Sequence, residues 1–138
     1  MTTTEDTEIT EKATKGSLDR ITGSIIGAAI EVQRALGPGL LESAYEACLS
    51  FELSDRGLGV ERQCPMPVSY RGIQIDVGYR MDLLVDELVV VELKAVDRLL
   101  PIHKAQLLSY LKLADLRLGL LINFNVKVLK DGIRRLAN

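Results

Sequence analysis

The run Met81-Asp-Leu-Leu-Val-Asp-Glu-Leu-Val-Val-Val-Glu-Leu-Lys-Ala95 constrains the fold most: two apolar strand-like segments flank a charged Asp86-Glu87 break. Leu88 to Leu93 is aliphatic and β-branched enough to read as a buried strand, which makes Glu92 and Lys94 anomalies within it. Side chains alternate along a strand, so Leu88, Val90, Glu92 and Lys94 share one face and Val89, Val91, Leu93 and Ala95 the other. A buried charge is costly unless paired or bound to a metal. Asp82, at the start of the preceding strand, is the nearest candidate carboxylate, and parity decides whether it meets Glu92. A two-residue turn at Asp86-Glu87 would pair Val85 with Leu88 and place Asp82 opposite Val91, on the wrong face. An odd loop such as Val85-Asp86-Glu87, or one bulge, would place Asp82 opposite Val90 and diagonal to Glu92. An odd loop or bulge is therefore expected if the carboxylates act together; a structural ion pair at a strand edge is the plainer alternative.

With 138 residues, 47% of them hydrophobic, the chain is expected to form one domain. Residues 1–15 have few apolar side chains and are expected to be a disordered tail, with the domain spanning 16–138. Leu18, Ile21, Ile25, Ala29, Val32 and Leu36 recur at helical spacing, with Ser17 or Asp19 as N-cap and Gly37-Pro38-Gly39 as the stop. Glu31 and Gln33 near its end read as exposed. A second helix is expected from about Leu40 to Arg56, its apolar face formed by Leu41, Ala44, Tyr45, Cys48 and Leu49, with Glu42 on the margin. Val60 to Val68, interrupted by Pro65 and Pro67, reads as an edge or irregular strand. Ile73, Ile75 and Val77 alternate with Gln74 and Asp76, as in a half-buried strand. Pro101 opens a helix to about Ala114, with Leu107, Leu108 and Leu111 buried and His103, Gln106 and Tyr110 in one neighbouring arc. Leu116 to Phe124 is an apolar strand, and Val126 to Asn138 a short strand or basic tail. This order predicts an α/β domain with a mixed central sheet flanked by helices.

Cys48 and Cys64 lack metal-ligand spacing, the single His103 cannot complete a zinc site with them, and both read as buried thiols. No segment resembles a signal peptide or a membrane span, so a soluble, cytoplasmic protein is expected. Net charge is only −2, yet Lys94 to Asn138 carries nine bases against three acids.

Asp82, Glu92 and Lys94, with one apolar residue between the last two, resemble the active-site signature of the PD-(D/E)XK nuclease superfamily. Gly39-Leu-Leu-Glu42-Ser-Ala-Tyr45 is similar to the pattern that names its GxxExxY branch. Ala28-Ala-Ile-Glu-Val, Leu36-Gly-Pro-Gly-Leu-Leu-Glu-Ser-Ala-Tyr, Gly78-Tyr-Arg-Met-Asp-Leu-Leu-Val, Val91-Glu-Leu-Lys-Ala-Val and Gln106-Leu-Leu-Ser-Tyr-Leu resemble family segments in family order, from about Leu18 to Leu136. One departure is Gln33, where family members often carry His.

The resemblance implies a restriction-endonuclease-like core and a Mg²⁺ or Mn²⁺ site at Asp82 and Glu92, with Glu42 as a further acid from the helix. Two carboxylates and the Leu93 carbonyl form a hard oxygen site suited to such ions. Lys94 would position water or balance charge, and Gln106 and Tyr110 would steady the phosphate or Lys94. Arg98, Lys104, Lys127 and Lys130 are the expected contacts to a nucleic-acid backbone, DNA ahead of RNA. A binding module that keeps the fold without turnover is the competing expectation, and a homodimer bracketing a duplex a third.

Overall fold

The computed structural model describes residues 14–138; residues 1–13, most of the expected tail, lie outside them. Helix α1 spans Lys15–Leu36. Its N-cap is Thr14, whose hydroxyl accepts the Ser17 N–H at 3.2 Å, rather than Ser17 or Asp19. Lys15 thus belongs to the helix. Leu18, Thr22, Ile25, Ala28, Ala29 and Val32 form the buried stripe. The helix stops at Gly37, whose φ of +70° suits glycine and whose N–H donates to the Gln33 carbonyl at 2.7 Å. Gln33 is buried, contrary to expectation, and its amide donates to the Val126 carbonyl. Glu31 is exposed and pairs with Arg34.

Helix α2, Glu42–Asp55, buries Tyr45, Glu46, Leu49 and Leu53. Leu41 and Cys48 do not join that face: both are exposed, Leu41 because it sits at the extended residue before the first turn. Cys64 is only partly buried, so neither cysteine is the buried thiol expected. Tyr45 closes the α1–α2 loop. Its hydroxyl donates to the Gly37 carbonyl at 2.6 Å and accepts the Leu40 N–H at 3.1 Å, while its ring stacks on Phe124 with centroids 4.6 Å apart.

Strands β1 (Val60–Pro65), β4 (Arg80–Val85), β5 (Val89–Lys94), β6 (Leu118–Asn123) and β7 (Ile133–Ala137) form one sheet in the order β1-β4-β5-β6-β7. Within it β5 and β6 are the parallel pair, and the connection between them contains helix α3, Pro101–Ala114. β1 is an edge strand, where Pro65 removes no interior ladder bond. The basic C-terminal stretch supplies β7 after a 3-10 turn at Leu129–Gly132. Strands β2 (Val68–Tyr70) and β3 (Ile73–Ile75) pair only with each other, and Ile73, Gln74 and Ile75 are all exposed. The half-buried strand expected there is therefore a separate two-stranded ribbon. Alternation of its apolar residues sets the faces of the ribbon but supplies no layer to cover either of them.

The central strands are covered on both faces, which explains their near-continuous apolar runs. Helices α1 and α2 cover Leu83, Val85, Val89, Val91, Leu93, Leu120 and Ile122. Helix α3 covers the other face, where Leu107, Tyr110 and Leu111 cluster with Val90, Leu121 and Met81. Gly119 lets α3 approach: a Cβ there would lie 2.9 Å from a Leu107 methyl. No helix among the described residues is long and apolar enough to cross a membrane.

Candidate active site

Local turn chemistry places the first two carboxylates. Asp86 and Glu87 both have positive φ, +51° and +60°, and the Leu88 N–H donates to the Val85 carbonyl at 3.0 Å, as in a primed turn. Asp86 is pinned from outside: its N–H donates to the Gly59 carbonyl at 2.8 Å and its carboxylate accepts the Gly59 N–H at 2.7 Å. Val85 pairs with Val89, Leu84 with Val90 and Leu83 with Val91, so the loop holds three residues, Asp86 to Leu88. The loop is odd, as parity requires, but it sits one residue later than Val85 to Glu87. The same count then carries Asp82 directly across from Glu92, not opposite Val90.

At that level the two carboxylates replace ladder bonds. The Asp82 N–H donates to Glu92 Oε2 at 2.8 Å, and the Leu93 N–H donates to Asp82 Oδ2 at 2.9 Å. Each side chain thus satisfies a backbone donor of the opposite strand and keeps its other oxygen for a further partner. Glu92 is 5% exposed. Burial, and next the facing Asp82, push its carboxyl up to about 8, while the Asp82 N–H and Lys94 pull the other way.

Lys94, half-buried, follows Glu92 on the same face at the end of β5. Its strand end is clasped by Asn123, the register partner of Lys94 on β6. Asn123 is buried; its Oδ1 accepts the Val96 N–H at 3.1 Å and its Nδ2 donates to the Val96 carbonyl at 2.9 Å. The Phe124 N–H donates to the Lys94 carbonyl at 2.9 Å, which links the Tyr45–Phe124 stack to the Lys94 backbone.

Helix α3 brings Tyr110 over this face. Gln106 Nε2 donates to the Tyr110 hydroxyl at 3.1 Å, so the pair expected from the four-residue spacing is formed. Burial first, then the charges of Glu92, Tyr79 and Asp82, raise the Tyr110 phenol above its ordinary pKa, which places it in the field of both carboxylates. His103, in the first turn of α3, satisfies the helix start instead, where its Nδ1 accepts the Leu100 N–H at 3.0 Å.

The remaining expected residues make no hydrogen bond or ion pair with these groups among the described residues. Glu42 is exposed in the first turn of α2 and makes no hydrogen bond or ion pair among the described residues. Arg98, Lys104, Lys127 and Lys130 are exposed in the α3 region and in the segment before β7. A different acid of α2 is linked to the site indirectly, through Gln63. Glu46, buried, accepts from Gln63 Nε2 at 2.6 Å and from Arg62 at 3.1 Å, and the same Gln63 nitrogen lies 3.4 Å from Asp82 Oδ1. Gln63 is at φ +50° on β1, a conformation uncommon for a non-glycine residue. Glu46, Gln63 and Asn123 do not stand out in the sequence. Only Asn123 carries a signal there, as an amide closing an otherwise apolar strand.

Among the described residues no group of three or more His, Cys, Asp or Glu side chains converges as a complete metal cage. The donors present nevertheless fit a hard divalent ion that keeps several waters: two opposed carboxylates on β4 and β5, beside the backbone of Leu93.

A family model described as the PD-(D/E)XK nuclease superfamily matches residues 19–136. No curated protein and no solved structure gives a significant match. The match runs from α1 to β7 and includes the opposed Asp82 and Glu92, and this chain belongs to the PD-(D/E)XK nuclease superfamily.

Proposed function

We propose that this protein is a divalent-metal-dependent nuclease of the GxxExxY branch, hydrolysing phosphodiester bonds of nucleic acid, DNA ahead of RNA. The observation that supports it most is the opposition of Asp82 and Glu92 across β4 and β5, with Glu92 buried and its carboxyl raised to about 8. Two facing carboxylates of this kind are ill-matched to a purely structural role and well matched to a cation.

Mg²⁺ or Mn²⁺ held by Asp82, Glu92 and the Leu93 carbonyl would supply charge neutralisation and a water of lowered pKa. The protein's own groups do the rest. Lys94, on the Glu92 face, presents an ammonium to a phosphate oxygen or the attacking water. Tyr110, braced by Gln106, offers a hydroxyl donor that its raised pKa keeps protonated. Arg98, Lys104, Lys127 and Lys130 are the exposed bases available to neighbouring phosphates. Glu46 is the better-placed helix acid than Glu42, because it shares Gln63 with Asp82, at 2.6 and 3.4 Å.

A second reading, a binding module without turnover, is favoured by the lack of a third converging acid among the described residues. Incubation of single- and double-stranded DNA and RNA with Mg²⁺, Mn²⁺ or EDTA separates the two. The nuclease reading expects metal-dependent cleavage that is lost in Asp82→Ala and Lys94→Met. Binding without cleavage under every condition would leave the module.

A further inference from the structure

Next to the candidate site, α3 and the residue preceding β4 enclose a groove of about 460 Å³ whose walls include Tyr79, Ile102, His103, Gln106, Ser109 and Leu113. We propose that this groove is a subsite for a single unstacked nucleobase, which makes single-stranded nucleic acid, or a frayed end, the substrate class. This proposal rests on the nuclease reading above.

The walls have the composition a base requires. Tyr79 and Ile102 are 45% and 66% exposed and Leu113 is also exposed, so large apolar surfaces lie side by side without cover. Isolated exposed apolar residues are ordinary; three on one concavity are not. The Tyr79 ring is braced by Tyr110, with centroids 5.9 Å apart and planes tilted by 52°, so it is held while still presenting aromatic surface. Bases of any identity have a π-face to stack there.

Polar side chains line the same groove. Gln106 and Ser109 supply an amide and a hydroxyl. His103 accepts at Nδ1 from Leu100, so the neutral ring carries its proton on Nε2 and has a donor left. Among the described residues no Asp or Glu lines the groove, which suits a polyanion.

Position ties the groove to the chemistry. Gln106 and Tyr110 line it and are hydrogen-bonded to each other, and Tyr110 packs with Met81 and Val90, the first next to Asp82 in β4 and the second on the Glu92 face of β5. On this proposal the base next to a phosphate held at the carboxylates enters the groove at Tyr79. A base inside a duplex is stacked on both faces and cannot offer one to Tyr79; it must leave the stack first. A second copy of this chain is the competing occupant, but it would block access beside Tyr110.

The test uses the full chain with Ca²⁺ in place of Mg²⁺ or Mn²⁺ and compares affinities for a single strand of about 12 nucleotides, a length within the usual site sizes, and the matching duplex. The single strand carries one 2-aminopurine as a stacking reporter. The parent should bind the single strand more tightly and quench the reporter. Tyr79→Ala should weaken single-strand binding about tenfold and abolish quenching, with Tyr79→Phe near the parent. Should Tyr79→Ala fold poorly, Ile102→Ser, at an exposed position of α3, should weaken the same binding severalfold. If the parent cleaves nucleic acid but Tyr79→Ala and Ile102→Ser keep the parent's single-strand affinity and quenching, the subsite is wrong and the nuclease reading stands. If the parent neither binds nor cleaves any nucleic acid, both fall. A sedimenting dimer that Ile102→Ser converts to monomer would assign the groove to a second copy and overturn the proposal.

Discussion

Glu92 should make the metal-free protein less stable as pH rises, and the structure sets the size of the effect. Its carboxyl is raised from an ordinary 4.5 to about 8, first by burial and then by Asp82. The folded protein thus holds a proton that the unfolded chain releases above about 4.5. Stability from this group is fully present below that pH and is lost as pH climbs to about 8. At about 1.4 kcal/mol per pH unit, the full interval corresponds to about 5 kcal/mol. Relaxation of the exposed edge of the site should reduce this, and a loss of about 2–5 kcal/mol is expected. Urea denaturation in EDTA at about pH 4 and about pH 8.5, on either side of the interval, measures it. Glu92→Gln keeps an oxygen to accept the Asp82 N–H but cannot ionise, so its curve should be flatter than the parent's by that amount. Added Mn²⁺ should restore the parent at the higher pH and leave Glu92→Gln unchanged. Parallel pH dependences for parent and Glu92→Gln would refute the argument that Glu92 is held protonated.

Asp82→Asn should fold normally, since an amide oxygen can still accept the Leu93 N–H, yet bind Mn²⁺ at least about tenfold more weakly in a calorimetric titration. Gly119→Ala should destabilise by about 1–3 kcal/mol in urea, because its Cβ collides with buried Leu107 and forces α3 outward. Asn123→Ala should cost about 1–3 kcal/mol by leaving the Val96 N–H without its acceptor and its carbonyl with only the more distant Asn125 amide, again read by urea denaturation. Glu87→Gly should stabilise by about 0.5–1 kcal/mol, measured as a rise in Tm, because an exposed glutamate at φ +60° gives way to the residue that best tolerates it.

The helices and central strands are legible in the sequence because burial imposes its period on them. Leu18 to Leu36 repeats at about 3.6 residues because one stripe faces the sheet, and β5 and β6 are apolar almost throughout because both faces are covered. The β2–β3 ribbon defeats the same logic for the complementary reason. Ile73, Ile75 and Val77 alternate correctly for a strand, but period 2 reports only that residues share a face, not that anything lies on it. Nor does local sequence announce that α1 is capped at Thr14, since Thr14, Ser17 and Asp19 are all competent caps and only the path of the chain selects among them.

Parity carries the site further than motif matching alone. That Asp82 and Glu92 can meet only across an odd loop or a bulge follows from alternation; that the loop is Asp86 to Leu88 depends on two successive residues entering the left-handed region, which Gly59 secures from outside the hairpin. The helix acid shows where such reasoning ends. At about 100° per residue, Glu42 falls between Leu49 and Leu53 on the α2 wheel, and Glu46 falls about 20° beyond Leu53. Azimuth therefore admits both. What separates them is position along the axis: Leu41, Glu42 and Ser43 are exposed, so the first turn of α2 lies outside the packed layer, while Glu46, one turn deeper, is buried against Arg62 and Gln63. A wheel has no axial coordinate, and the partner that singles out Glu46 is Gln63, an exposed residue seventeen positions later whose left-handed backbone no periodicity encodes. Through that amide Glu46 is linked to the carboxylate of Asp82, whose other oxygen takes the Leu93 N–H.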